Sequence, residues 1–277
     1  MTVSRPIKQL VLCADDFAVH AAASRGIAEL ARLGRLSATS VMALSSRWPQ
    51  DVALLRPLRG RIDVGLHLDW TSDFARRAGH GLSLGAAMLR AGLGGFERAA
   101  ARTVIERQLD AFEAQWGFPP DHVDGHQHVQ QFAGIRQALV AVLSQRYGGR
   151  APYLRLSRAA PGLADFKSRV IAAMGAAALQ RQAQRAAIAC APCLGGVYDF
   201  ATDSTPYAAR MDQWLQCSVP GTLLMCHPAD AAVADDVIGV ARTQEYAHLR
   251  SDAFAQQLAR HQVQLVRGAA LYTGSQG

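Results

Sequence analysis

Short apolar runs that end in polar residues alternate along this chain with stretches whose apolar residues recur every three or four positions. "KQLVLCADDF" (8–17) is the first such run: Leu10 to Cys13 read as a buried strand, with Asp15 and Asp16 at its C-terminal end. "AASRGIAELARLGRL" follows, with Ile27, Leu30 and Leu33 near helical spacing and Gly34 as a stop. "SATSVMAL" and "RIDVGLHLDW" read as further strands, the second again ending in polar groups. Residues 97–116 form an amphipathic helix with Val104, Ile105, Leu109 and Phe112 on its apolar side, and a glycine and two prolines end it in "GFPPDHVDGHQH", where a short strand begins. The pattern then predicts a helix in "FAGIRQALVAVLSQRYGG", a strand in "PYLRLS" and one long Ala-rich helix over 164–189. A helix in "YAARMDQWLQC", a strand in "GTLLMCHPAD", a helix near 251–260 and a last strand in "VQLVRGAALY" complete it.

Repeated βα units predict an α/β fold with a parallel sheet, either closed as a barrel or open and doubly wound. A single domain over 1–277 is expected, with the Gly-rich region near 72–96 as a surface excursion. In both architectures ligands bind where the strands end, so four chemically loaded strand ends converge. They are Asp15 and Asp16, His67 in "GLHL", the stretch "HVDGHQHVQ" with Asp124, His126 and His128, and His227 in "MCHP". Singly, each has an ordinary explanation, since an Asp after a strand caps a helix and a lone His packs in a core or turn. Together, two neutral imidazoles and a carboxylate make a three-ligand divalent site with open positions, able to polarise a carbonyl and acidify water.

Within the cluster His126 is the favoured ligand, because it follows the turn that Asp124-Gly125 permits. Asp124 then orients a ligating imidazole, and His128 lines the pocket or packs at the start of the next helix. Adjacent side chains on an extended strand point to opposite faces, so one of Asp15 and Asp16 can ligate while the other accepts a proton; alternatively both cap the following helix. Arg155 in "YLRL" and Tyr198 and Asp199 in "VYDF" are candidates for ligand contacts, or for strand-end salt bridges and packing.

Composition narrows the classes. The 29 Lys and Arg against 22 Asp and Glu give +7, but Lys8 and Lys167 are the only lysines and the arginines are scattered, which is not the basic stripe of a nucleic-acid binder. No apolar run has the length of a signal sequence or a membrane span, so a cytoplasmic protein is expected. Five dispersed cysteines make no disulfide framework. Cys190 and Cys193 match a C-x-x-C redox spacing without the strand-then-helix setting it needs.

"LVLCADDFAVH", "RLSATSVMAL", "VGLHLDW", "HVDGHQHVQ", "GGVYDF" and "LLMCHPAD" resemble, in that order, the blocks of the YdjC-like carbohydrate deacetylases, a family that includes chitooligosaccharide and hopanoid-biosynthesis deacetylases. The resemblance runs over residues 8–267. It implies a distorted TIM-barrel-like fold and removal of an acetyl group from an N-acetylated sugar with a divalent metal, Mg2+ or Zn2+. It also implies Asp16, His67 and His126 as metal ligands, Asp15 as general base and His227 as general acid, whose pKa near neutrality would suit the task. Two departures stand out: Ala18 replaces a glycine after "ADDF", and Gln130 replaces a histidine, with an expected effect on substrate contacts. The rival readings are a metal hydrolase of another bond and a non-catalytic sugar- or metal-binding protein. A homodimer is the expected assembly.

Overall fold

The computed structural model describes residues 6–201 and 205–273. Its strands are β1 (Lys8–Phe17), β2 (Ala38–Val41), β3 (Asp63–Leu68), β4 (His122–Gly125), β5 (Tyr153–Arg155), β6 (Cys190–Ala191), β7 (Cys193–Gly195), β8 (Thr222–Cys226) and β9 (Val263–Leu265). They form one parallel sheet in the order β6-β5-β4-β3-β2-β1-β8-β7, with β9 added to the start of β1. Between the described ends of the sheet lies a single residue, Pro192, which has no N–H to donate to a ladder. Before it, β6 pairs with β5; after it, β7 pairs with β8, and Ala159 bridges Leu194. The sheet therefore curls into a distorted barrel, one of the two architectures the βα alternation allows and the one the family resemblance implies.

Period-two alternation separates two faces of β1. Leu10, Leu12 and Ala14 pack against the surrounding helices in the main core, whereas Val11 and Cys13 join Ala38, Tyr153, Leu194 and Leu223 in a second, inner cluster. That interior becomes polar toward the strand ends. Ser40, His122, Asp124 and Arg155 are all buried, and the His122 ring occupies space that only Gly65 leaves open, since a β-carbon there would lie 2.4 Å from it.

Three local expectations change. The Ala-rich stretch is two helices, Phe166–Ala173 and Ala176–Arg185, because Gly175 adopts φ 137° between them and its missing side chain makes room for the Gln131 carbonyl. The last strand stops at Leu265. Gly268–Tyr272 is instead a short helix across the base of the barrel, where Tyr272 meets Tyr153 and the Ala269 amide donates to Asp63 (2.8 Å). Residues 72–96 hold the helices Asp73–Arg77 and Leu84–Gly92, and Arg76, Leu84 and Met88 from this excursion wall the cavity described next.

Candidate metal centre and catalytic cavity

A cavity of about 640 Å³ opens at the C-terminal ends of the strands, a size ordinary for a small-molecule site. Asp15, Asp16, His67, His126, His128 and His227 all line it. The strand ends deliver these side chains through irregular backbone. The β1–β2 register shifts between Ala14 and Phe17, and Asp16 (φ 65°) and Ala18 (φ 70°) are left-handed. The kink turns the two adjacent acids to different partners. Ala18 holds the conformation a glycine would adopt more cheaply.

Asp16 is the centre of the cluster. One of its oxygens lies 3.4 Å from His67 Nε2 and 3.2 Å from His126 Nδ1, and the other accepts from Arg242 (2.8 Å). Burial opposes its ionisation, yet Arg242 and the two imidazoles hold its pKa well below the usual carboxylate range. His67 donates through Nδ1 to Asp124 (2.6 Å), which leaves Nε2 toward Asp16. Asp124 thus orients His67 rather than its sequence neighbour His126. Ser40 also donates to Asp124 (2.5 Å).

Asp15 is held apart by the guanidinium of Arg155, at 2.7 and 2.9 Å, and the same group reaches Asp124 (3.0 Å). Arg155 is 1% exposed, lines the cavity and lies against these two carboxylates, so the strand-end ion pair is the contact the structure shows for it. His227 Nε2 lies 3.9 Å from Asp15. Burial, with Arg242 and His67 adding to it against the pull of Asp15 and Asp16, lowers its pKa to about 4. The near-neutral value expected from the sequence holds for an unperturbed ring, and burial here favours the neutral imidazole.

The remaining candidates divide. The Tyr198 ring lines the cavity, but its hydroxyl donates to Glu245 (2.6 Å). Asp199 is exposed, accepts from Arg210 (3.5 Å) and is not part of the cavity lining. Gln130, expected to affect substrate contacts, is fully buried and donates to the Arg155 carbonyl and to Ser157. Cys190 and Cys193 fall on separate strands as free thiols, and burial raises Cys190 to about 11, the opposite of a reactive redox thiol.

Sequence reasoning missed Arg242 and Glu245. Both lie on the helix Gly239–Arg250 and are buried at 3% and 0%. Arg242 links Asp16 to Asp236 (2.6 Å), while Glu245 accepts from the His227 amide (2.5 Å) and from Tyr198. Their spacing with Leu249 puts all three on one helix face, the only signal available, and charged residues there ordinarily read as solvated.

The donor set fits a divalent cation. One carboxylate oxygen and two imidazole nitrogens from Asp16, His67 and His126 lie within 4.8 Å of one another, and His67 has the carboxylate partner that ligating histidines usually show. Two other triplets meet the spacing, Cys13/His122/Asp124 and Asp15/His67/Asp124. In these triplets both oxygens of Asp15 and of Asp124 are already held, by Arg155, His67 and Ser40, whereas Arg242 takes one oxygen of Asp16 and leaves the other toward His67 and His126. In the metal-free protein burial disfavours His67 as an imidazolium, but Asp124, Asp15 and hydrogen bonds to Asp124 and Asp16 outweigh it and raise its pKa to about 10. A metal must displace that proton. Metal affinity is therefore expected to rise about tenfold per pH unit between pH 7 and 9, with one proton released per ion. Calorimetry in buffers of different ionisation enthalpy checks this.

Fold and cluster define a βα-barrel protein with a candidate divalent-metal centre at its mouth. The profile of the YdjC-like protein family matches residues 9–260, and the chain belongs to that family. It is similar to the carbohydrate deacetylase of Homo sapiens, 33% identical over 173 residues, covering 58% of this chain and 52% of that protein. It is also similar to the chitooligosaccharide deacetylase of Yersinia pestis (strain Pestoides F), 30% identical over 147 residues, 50% of this chain and 57% of that protein. The chain thus spans about half the length of the curated relatives it matches. A crystal structure from Enterococcus faecalis V583, provisionally described as a cellobiose-phosphate cleavage protein, shares the fold at TM-score 0.72 and 18% identity, over 96% of this chain and 100% of that one.

Proposed function

We propose that this protein is a divalent-metal-dependent deacetylase that hydrolyses the acetamide of an N-acetylated sugar. The observation that carries the reading is the separation of the adjacent acids: Asp16 faces His67 and His126, while Asp15 is held by Arg155 beside His227. The names of the similar deacetylases support the same chemistry. Asp16, His67 and His126 would hold the ion, which when bound supplies Lewis-acid polarisation of the acetyl carbonyl and acidifies water. Mg2+ or Zn2+ is the ion we favour, on ligand type and on the family resemblance.

Asp15 takes the proton of the attacking water, and the fork of Arg155 keeps its carboxylate in place. His227, neutral at the outset, receives a proton at Nε2 from the side of Asp15 and passes it to the departing nitrogen. The C–N bond then breaks to give a neutral amine and acetic acid, which ionises to acetate. Phe200 stands edge-on to the His227 ring (5.1 Å) and helps to exclude water from it. Among the described residues no helix is long and apolar enough to cross a membrane. The free thiols accord with a reducing, cytoplasmic setting, and a homodimer remains our expected assembly.

The test is acetate release from N-acetylglucosamine, chitooligosaccharides and N-acetylated glycolipid head groups, using metal-stripped protein with Mg2+, Zn2+, Mn2+ or Co2+ restored singly. Metal-dependent release from at least one substrate is expected. No release from any of them by protein that binds metal would overturn the assignment.

A further inference from the structure

We infer that His128 presents a fixed Nε2–H donor to the substrate, set by a hydrogen-bond relay that starts at the buried Gln130. The inference rests on the deacetylase reading for its kinetic arm only. His128 lines the cavity, and both it (φ 64°) and Gln127 (φ 52°) are non-glycine residues in the left-handed region, a costly backbone that persists where surrounding structure enforces it.

The relay can be followed atom by atom. Gln130 Nε2 lies 3.1 Å from the Arg155 carbonyl, an obligate acceptor, so the amide group and not the amide oxygen occupies that position. The same nitrogen lies 3.1 Å from Ser157 Oγ and donates its second hydrogen there. Ser157, 2% exposed, then has its own proton left to donate, and its other partner is His128 Nδ1 at 3.0 Å. Were Nδ1 to carry a hydrogen instead, the buried hydroxyl would accept twice and its proton would have no partner. Nδ1 is therefore the acceptor, and the hydrogen sits on Nε2. His128 differs in this from His67, whose Nδ1 faces a carboxylate and must donate. With an ion bound, His67 would offer a lone pair at Nε2; His128 offers a hydrogen, suited to an acceptor oxygen of an acetamido or hydroxyl group.

Long-range 1H–15N correlation spectra of the holo protein distinguish the two tautomers. The Nε2–H form of His128 is expected in the wild type, with a shift toward Nδ1–H in Ser157→Ala. In parallel, His128→Leu is expected to lower kcat/KM about 10²-fold with metal content unchanged, while His128→Gln, which keeps an amide donor near the Nε2 position, recovers most of it. Both variants bear the same left-handed backbone cost. Ser157→Ala is expected to lower kcat/KM about 10-fold. An Nδ1–H tautomer in the wild type overturns the proposal, and so does an unchanged kcat/KM in His128→Leu. Absence of acetate release in the wild type would count against the deacetylase reading, and the spectra would still decide the tautomer.

Discussion

Replacing Asp15 with asparagine is expected to lower kcat for acetate release by about 10²–10⁴-fold while the protein still binds one divalent ion. Asparagine keeps the shape and one acceptor for Arg155 but cannot take a proton from water. The metal would stay because Asp16, His67 and His126 do not include the altered residue. Steady-state acetate release together with metal content separates base from ligand. Parallel loss of metal and activity would place Asp15 in the coordination sphere, as in the alternative Asp15/His67/Asp124 grouping.

Replacing Arg155 with methionine is expected to destabilise the protein by about 3–5 kcal/mol, because removing one partner of a buried ion pair leaves charge without compensation. Two carboxylates are affected. Asp15 loses both of its contacts from the guanidinium, and Asp124 loses a 3.0 Å partner while still bound to His67 and Ser40. Arg155→Lys should recover part of the loss but not the two-pronged grip on Asp15, since an ammonium is a single point charge. Urea unfolding of the metal-free proteins measures both. A change under about 1 kcal/mol for the methionine variant would mean that Arg155 does not compensate these acids.

The strand ends were legible because a parallel barrel makes two independent patterns coincide: apolar runs of period two and polar residues at one end of each run. Asp16, His67, Asp124 and His126 meet in the structure for that reason, coming from β1, β3, β4 and the turn after β4. What the pattern hid is the tertiary setting of each side chain. Gln130 reads as a pocket residue beside three histidines, yet a kinked turn directs it inward to Arg155 and Ser157. Arg242 and Glu245 lie on the helix Gly239–Arg250, which the apolar pattern does not single out, and that helix packs them over Asp16 and His227. The break at Gly175 depends on a close approach by the Gln131 carbonyl, which helical propensity cannot register. Burial likewise lowers the His227 pKa from its ordinary value to about 4, so in the proposed mechanism it carries a proton received during the reaction.

The ion is proposed to belong to Asp16, His67 and His126. Anomalous diffraction from crystals of the zinc-loaded protein tests this assignment most directly. One strong peak is expected, bonded to Asp16, to His67 through Nε2 and to His126, at the distances of about 2.0–2.2 Å typical of zinc with such ligands, with Asp15 still on Arg155. A peak held instead by Cys13, His122 and Asp124, or one that takes Asp15 as a ligand, would contradict it.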